Sequence, residues 1–313
     1  MGDDAHSRAG RWVLCMVIGW LLAGTAALGE APLPQEEPDT KAASEEEGEE
    51  EASLALPGPV AGMPDDEATE PDPLPELWFP MGEEIEYRVY WGRIPVGTAV
   101  ISTEWEDDEE HGPLVAIRVE VVSNRVIETL YPVDIRIESL IDPSTFLPVR
   151  FTQDRKEGRR HTHEITEFDY DNLIAHWRSL SRDREDTFEL EPDTRDLLSF
   201  AYYMRKKGFQ RNERREFRVM ADDKIYDLWL ESRGTDAIRL RHYGRVSSVE
   251  VEPEAAFEGL FVRRGRIQFW VSRDERQLMT QMVGSIPVAS IRLVLQRVRG
   301  PGNDSWILDY NDD

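Results

Sequence analysis

The sequence predicts a mainly β protein: a curved antiparallel sheet, or open half-barrel, with one central buried helix. Three observations carry that expectation. From Glu84 onward, apolar and polar residues alternate in segment after segment, the period of half-buried strands. Turn residues recur at short intervals, which favours antiparallel hairpins over βαβ crossovers. A single stretch, Asp193 to Gly208 (DTRDLLSFAYYMRKKG), carries helix start and stop signals.

The first strand follows from Ile85, Tyr87, Val89 and Trp91 on one face, with Glu84, Glu86, Arg88 and Tyr90 on the other. Pro95 interrupts at a turn or bulge because proline cannot donate to a ladder, and Gly97 follows where backbone bends are cheapest. Val96 to Trp105 resumes as a second strand. The alternation returns at Val115, Ile117, Val119 and Val121, and again at Val133, Ile135 and Ile137. Asp142-Pro143, Leu147-Pro148, Asp169 to Asn172, Arg233-Gly234, Arg264-Gly265 and Arg273-Asp274 read as turns. Glu157-Gly158 is the clearest hairpin, with Arg150 to Asp154 and His161 to Phe168 as its arms.

In the helical stretch, Asp193 or Thr194 is the expected N-cap, Asp196 falls in the first turn, and Arg205, Lys206 and Lys207 precede Gly208. Its middle is apolar nearly all round, which predicts burial against the concave face of the sheet. Strand sets at 83–190 and 214–299 flank it. The octapeptides GRIPVGTA from Gly92 and GSIPVASI from Gly284 share four identical positions. Either a duplication or two similar strand-bulge-strand devices accounts for that echo.

Outside this β-rich domain, assigned to 78–313, the chain has two other parts. Residues 1–29 read as a secretory signal peptide: Arg11, an apolar run from Trp12 to Ala23, then Ala27-Leu28-Gly29, with Glu30 as the first mature residue. Retention of the leader as an anchor is the alternative, although the run is short for a span of about 20 residues. Cys15 follows Leu14, where a lipoprotein signal needs a small residue. It is the chain's one cysteine, so cleavage leaves no thiol and no disulfide framework.

Residues 30–77 read as an acidic disordered linker. They hold 16 acidic residues and one basic residue, Lys41, so more than half of the net charge of −25 sits there. As a flexible coil this linker would separate its ends by roughly 40 Å, a tether's reach. The remaining domain is still acidic and shows no basic face interleaved with aromatics, which argues against nucleic acid as a partner.

Four motifs occur in order along the domain: YRVYWGRIPVGTA from Tyr87, DIRIESLID from Asp134 with Leu147-Pro148 after it, RDLLSFAYYMR from Arg195, and FWVSRDE from Phe269 with Gly284-Ser285 beyond. Together they resemble the bacterial exported-protein family known as domain of unknown function 3108, over about residues 83–296. Where that family usually has a proline after its aspartate turn, this chain reads Gln277-Leu278-Met279. The resemblance implies export to the Gram-negative periplasm and a β-rich fold. A looser fold analogy to periplasmic lipoprotein carriers implies strands curled around one helix, though fold does not fix function.

Candidate chemistry is sparse. His161 and His163 lie two apart in a strand with Glu164 and Glu167 close by, yet a metal needs a third ligand there, and no metal or cofactor is expected. No GxSxG, P-loop or GxGxxG appears. The aromatics offer more: Trp91, Tyr203, Trp229 and Trp270 are the candidate wall residues of an apolar cavity between sheet and helix. Arginines at 211, 214, 215 and 218, and at 263, 264 and 266, suit phosphate headgroups or simple solvation. The sequence thus favours a non-enzymatic binder of a hydrophobic or amphiphilic envelope ligand, with a lipid or an envelope protein as partner and tethered membrane association. A filled-core structural or interaction module is the second reading, and a hydrolase with converging carboxylates the third.

Overall fold

The computed structural model describes residues 74–257, 260–261, 266–286 and 289–301. The expected signal peptide, nearly all of the acidic linker, the expected turn at Arg264-Gly265 and residues 302–313 lie outside them.

Among the described residues, sixteen strands form one sheet. The first eight are β1 (Glu84–Trp91), β2 (Ile94–Asp108), β3 (Gly112–Ser123), β4 (Val133–Ile141), β5 (Pro148–Glu157), β6 (Arg160–Asp169), β7 (Ile174–Ser179) and β8 (Arg184–Glu189). The rest are β9 (Arg195–Asp196), β10 (Arg214–Ala221), β11 (Lys224–Leu240), β12 (Gly244–Phe257), β13 (Leu260–Phe261), β14 (Arg266–Ser272), β15 (Met279–Ile286) and β16 (Ala289–Arg299). A short helix α1 (Arg125–Glu128) joins β3 to β4, and α2 (Leu197–Lys207) follows β9. Across the sheet the order runs from β8 back to β1, then β16, β15, β14, β12, β11, β10 and β9, with β13 beside β12. Every pairing is antiparallel except β9 with β10.

The sheet is open: β8 and β9 are its two edges and are not hydrogen-bonded to each other. Side chains bridge the two halves instead. Asp222, in the β10–β11 turn, accepts a hydrogen bond from Gln153 Nε2 on β5 at 2.9 Å and lies 3.5 Å from Arg155 Nη2. The same guanidinium lies 3.7 Å from Glu164 on β6, and Arg184 on β8 reaches Asp223 at 3.6 Å.

Burial follows the expected alternation. Ile85, Tyr87 and Val89 on β1 are buried, as are Val133, Ile135 and Ile137 on β4. The β1–β2 hairpin turns at Gly92-Arg93, and its register slips between Val89 and Tyr90, opposite Gly97 and Pro95, so the bulge expected at Pro95 forms. Gly97 is required there: a Cβ would stand 2.4 Å from the carbonyl oxygen of Val122. The echo octapeptides are not equivalent. Ile94-Pro95-Val96 opens β2 beyond its turn, whereas Ile286 ends β15 and Pro287-Val288 precede β16.

Two local expectations change. Arg233-Gly234 is not a turn; it lies inside β11, where the register with β12 shifts between Ser232 and Thr235. A bulge absorbs the glycine and the strand continues. The helix N-cap is Asp196, not Asp193 or Thr194: its carboxylate accepts from the backbone N–H of Leu198 at 2.7 Å and of Ser199 at 2.8 Å. Arg195 and Asp196 pair with Val219 and Met220 as β9, so helical geometry begins two or three residues later than expected. Gly208 closes the helix with φ of +59°, a conformation that L side chains rarely adopt.

Burial of Asp222 raises its carboxyl from the usual range to about 7, against the opposing pull of Arg155. A group that binds its proton more tightly when folded contributes stability at low pH, lost as pH rises through about 7. Urea midpoints of wild type and Asp222→Asn at pH 5 and pH 8 should therefore diverge, with the variant gaining relative to wild type at pH 8 by up to about 3 kcal/mol. Parallel pH profiles would show that Asp222 does not titrate in this window.

Candidate functional site

The helix is held at both ends by buried acids. At its N-terminus Asp196 is fully buried and also accepts from Ser139 Oγ of β4 at 2.5 Å. Burial raises its carboxyl, while Ser139, Ser199 and the Leu198 amide pull it back down. Near the C-terminus Arg205 donates to Glu83, just before β1, through Nη1 at 2.6 Å and Nη2 at 3.1 Å. Its Nε donates to the carbonyl of Arg276 at 3.0 Å, and Arg276 itself pairs with Glu83. Glu83 has no exposed surface. Burial works against the charge of Arg205, yet Tyr202 and Glu83 beside it leave the guanidinium above its ordinary value.

Between these anchors the helix is one-sided rather than buried all round. Leu198, Ser199, Phe200, Tyr202 and Met204 are buried, whereas Ala201, Lys206 and Lys207 are exposed. Leu198 and Tyr202 join the larger apolar cluster, with Tyr87, Val119 and Leu295; Phe200 and Met204 join a second, with Leu230, Val251 and Val271. Trp78 braces the helix from the N-terminal side, its Nε1 donating to the Tyr202 carbonyl at 2.8 Å. The rings of Phe79 and Tyr202 meet edge-on at 4.7 Å.

Beneath the helix lies a cavity of about 260 Å³. The sheet supplies Ile85, Val89, Ile101, Val121, Met282 and Leu293; the helix supplies Leu198, Phe200 and Met204. Leu230, Phe269 and Val271 close one side, and Arg205 and Gln277 bring polar atoms to the wall. Ala201 both lines the cavity and is exposed, so the cavity reaches the surface there.

None of the four aromatic candidates lines this cavity. Trp91 packs partly buried against the larger cluster at the end of β1, and Tyr203 lies under Arg195, 4.0 Å from its ring centroid. Trp229 carries Arg214 over its ring at 5.6 Å. Trp270 is 9% exposed on the face of β14 opposite the cavity, its Nε1 donating to Asp236 at 3.1 Å. Their sequence neighbours line it instead: Tyr202 from the helix, and Leu230, Phe269 and Val271 from β11 and β14, where successive strand residues face opposite sides. Asp196 lies within the motif RDLLSFAYYMR and beside its expected place in the first turn, whereas Glu83 carried no motif beyond being an acid next to an apolar run.

The other candidates separate in the same way. His161 bonds Asp154 at 2.6 Å on the outer face of β6, while Glu164 points inward to Arg155. Glu164 and Asp222 do converge, as a hydrolase requires, but both are buried and engaged by Arg155 and Gln153. Among the described residues no group of three or more His, Cys, Asp or Glu is placed to hold a metal. Arg215 pairs with Glu213 at 2.5 Å and Arg218 with Glu191 at 2.7 Å and Asp227 at 2.9 Å. The side chains of Arg263, Arg264 and Arg266 lie outside the described residues.

An open, mainly antiparallel sheet with one helix laid over an apolar cavity is thus the class that the geometry defines. The chain belongs to the family described as Protein of unknown function (DUF3108), whose profile matches residues 86–296. It is similar in structure to a β-barrel-like protein of domain of unknown function DUF1849 from Brucella abortus, at 10% identity and a TM-score of 0.47, covering 69% of this chain and 96% of that one. A candidate exported protein with YmcC-like fold from Bacteroides fragilis matches at 9% identity and 0.30, covering 71% and 97%. A candidate lipoprotein from Parabacteroides distasonis matches at 9% and 0.29, covering 71% and 98%. No curated protein matches the chain.

Removing one member of a buried ion group leaves its partners charged and unpaired, at a cost of about 3–5 kcal/mol. Glu83→Ala should lower stability by that amount in urea unfolding at pH 7, and Glu83→Leu combined with Arg205→Met should recover part of it. A loss below about 1 kcal/mol for Glu83→Ala would remove the ion group from the account of how the helix is held.

Proposed function

We propose that this protein is a non-enzymatic binder of a hydrophobic or amphiphilic ligand in the bacterial cell envelope, exported to the periplasm, with the cavity beneath α2 as its site. The observation that carries the reading is the cavity itself: apolar walls from both sheet and helix, with Arg205 and Gln277 as polar points among them. An empty apolar void costs about 24 cal/mol per Å³ in unrealised packing, so about 260 Å³ left vacant would cost up to about 6 kcal/mol. An occupant offsets that cost. The volume lies just below the usual range of about 300–1,000 Å³ for small-molecule sites, which suits a short acyl chain or the end of a longer one. In this reading α2 is the central helix against a concave sheet, and Arg205 and Gln277 face the polar end of an amphiphile.

The test is uptake of N-phenyl-1-naphthylamine, an apolar dye that brightens out of water. Wild type should bind it saturably, with one site per chain, and decanoate should displace it. Ala201→Trp, which fills the cavity from its open side without touching the buried anchors, should weaken binding at least tenfold while leaving the urea midpoint no lower than that of wild type. Absence of saturable uptake by wild type would overturn the reading and leave a filled-core interaction module.

A further inference from the structure

The connections at the two ends of β1 to β8 differ sharply in chemistry. One rim carries the turn Gly92-Arg93, the α1 segment 124–132, the β5–β6 turn and the β7–β8 turn. These connections are stitched together. Asn124 Nδ2 donates to the Pro95 carbonyl at 2.6 Å, the Gly158 amide to the Pro132 carbonyl at 2.8 Å, and the Leu180 amide to the His163 carbonyl at 2.8 Å. The opposite rim carries the connections at 109–111, 142–147, 170–173 and 190–194, with the strand ends Asp107, Asp108, Asp169 and Glu189 beside them. It holds ten acidic residues and neither lysine nor arginine.

The first rim is net basic and aliphatic, its lysine and arginines outnumbering Glu128, Glu157 and Asp183. Of seven large hydrophobic residues exposed among the described residues, five lie there: Ile94, Val122, Val126, Leu130 and Leu180. Val126 is 73% and Leu130 81% exposed. Scattered apolar residues need no explanation, but five gathered on one rim do. Between them stand Arg93, Arg125, Lys156 and Arg159, all exposed and none in an ion pair among the described residues. A chain of net charge −25 that concentrates unpaired bases and bare aliphatic side chains at one end matches a surface that is anionic outside and apolar just beneath.

We propose that this rim docks on the anionic surface of a membrane, with Val126 and Leu130 entering the headgroup layer and Arg93, Arg125, Lys156 and Arg159 meeting lipid phosphates. The acidic rim faces away, so the charge asymmetry orients the molecule before contact. The docking surface is distinct from the cavity, and its test does not depend on occupancy there.

The experiment uses the full chain with Cys15→Ser and an environment-sensitive bimane label at Thr129→Cys, beside Leu130, or at Glu110→Cys on the acidic rim. Vesicles of phosphatidylglycerol and phosphatidylcholine in equal parts should shift the Thr129 label to the blue and shield it from iodide, leaving the Glu110 label unchanged. These local readouts separate the rim from any binding by the apolar leader. Each base near an anionic surface contributes about fivefold in affinity, so Arg125→Gln with Arg159→Gln should weaken the Thr129 response about 25-fold. Val126→Ser with Leu130→Ser should abolish the blue shift, and Ala201→Trp should leave it intact. A Thr129 label that stays aqueous would overturn the proposal, as would equal responses from both labels or an undiminished response on pure phosphatidylcholine. A protein docking site at this rim would give the first of these results.

Discussion

The fold depends on a carboxylate that cannot reach water. Glu83, with no exposed surface, meets Arg205 from the helix and Arg276 from the β14–β15 turn. Burying three charges is tolerable only while they stay paired, so the group fixes three chain segments that lie far apart in sequence. Asp196 does the same at the other end of the helix, tying its first turn to Ser139 on β4. Two polar anchors therefore set the height of the helix above the sheet. The cavity is the space that this height leaves between apolar surfaces, and a purely apolar contact would be free to collapse into it.

The same logic explains how an open sheet keeps its form. Its edge strands do not pair, and the two halves meet through Asp222, Gln153, Arg155 and Glu164 instead of through a backbone ladder. Side-chain bridges hold geometry yet respond to protonation, which a ladder does not. Charge is also organised at larger scale, with ten acids on one rim of β1 to β8 and unpaired bases among aliphatics on the other.

Much of the fold was legible in the sequence because strand alternation is a local property: Ile85, Tyr87 and Val89 announce β1 without reference to anything else. The bulge at Pro95 and the helix were legible for the same reason. The helix start was misplaced because Arg195 and Asp196 are claimed by β10, a tertiary pairing that local signals cannot reveal. Arg233-Gly234 misled because a glycine marks a bend, and only the partner strand decides whether the bend becomes a turn or a bulge. The cavity wall was the least legible part. Alternation says that Phe269 and Trp270 face opposite sides, not which side holds the void, and the bulkiest ring lies outside it. Glu83 resembled any surface acid until its two arginines were in place.

Native mass spectrometry of the protein purified from the periplasm of an expressing Gram-negative bacterium reads the occupancy of the cavity beneath α2. A hydrophobic or amphiphilic molecule should be retained at one per chain, and lost when Ala201 is replaced by tryptophan. A bare chain mass, unchanged after incubation with lipids, would contradict binding there.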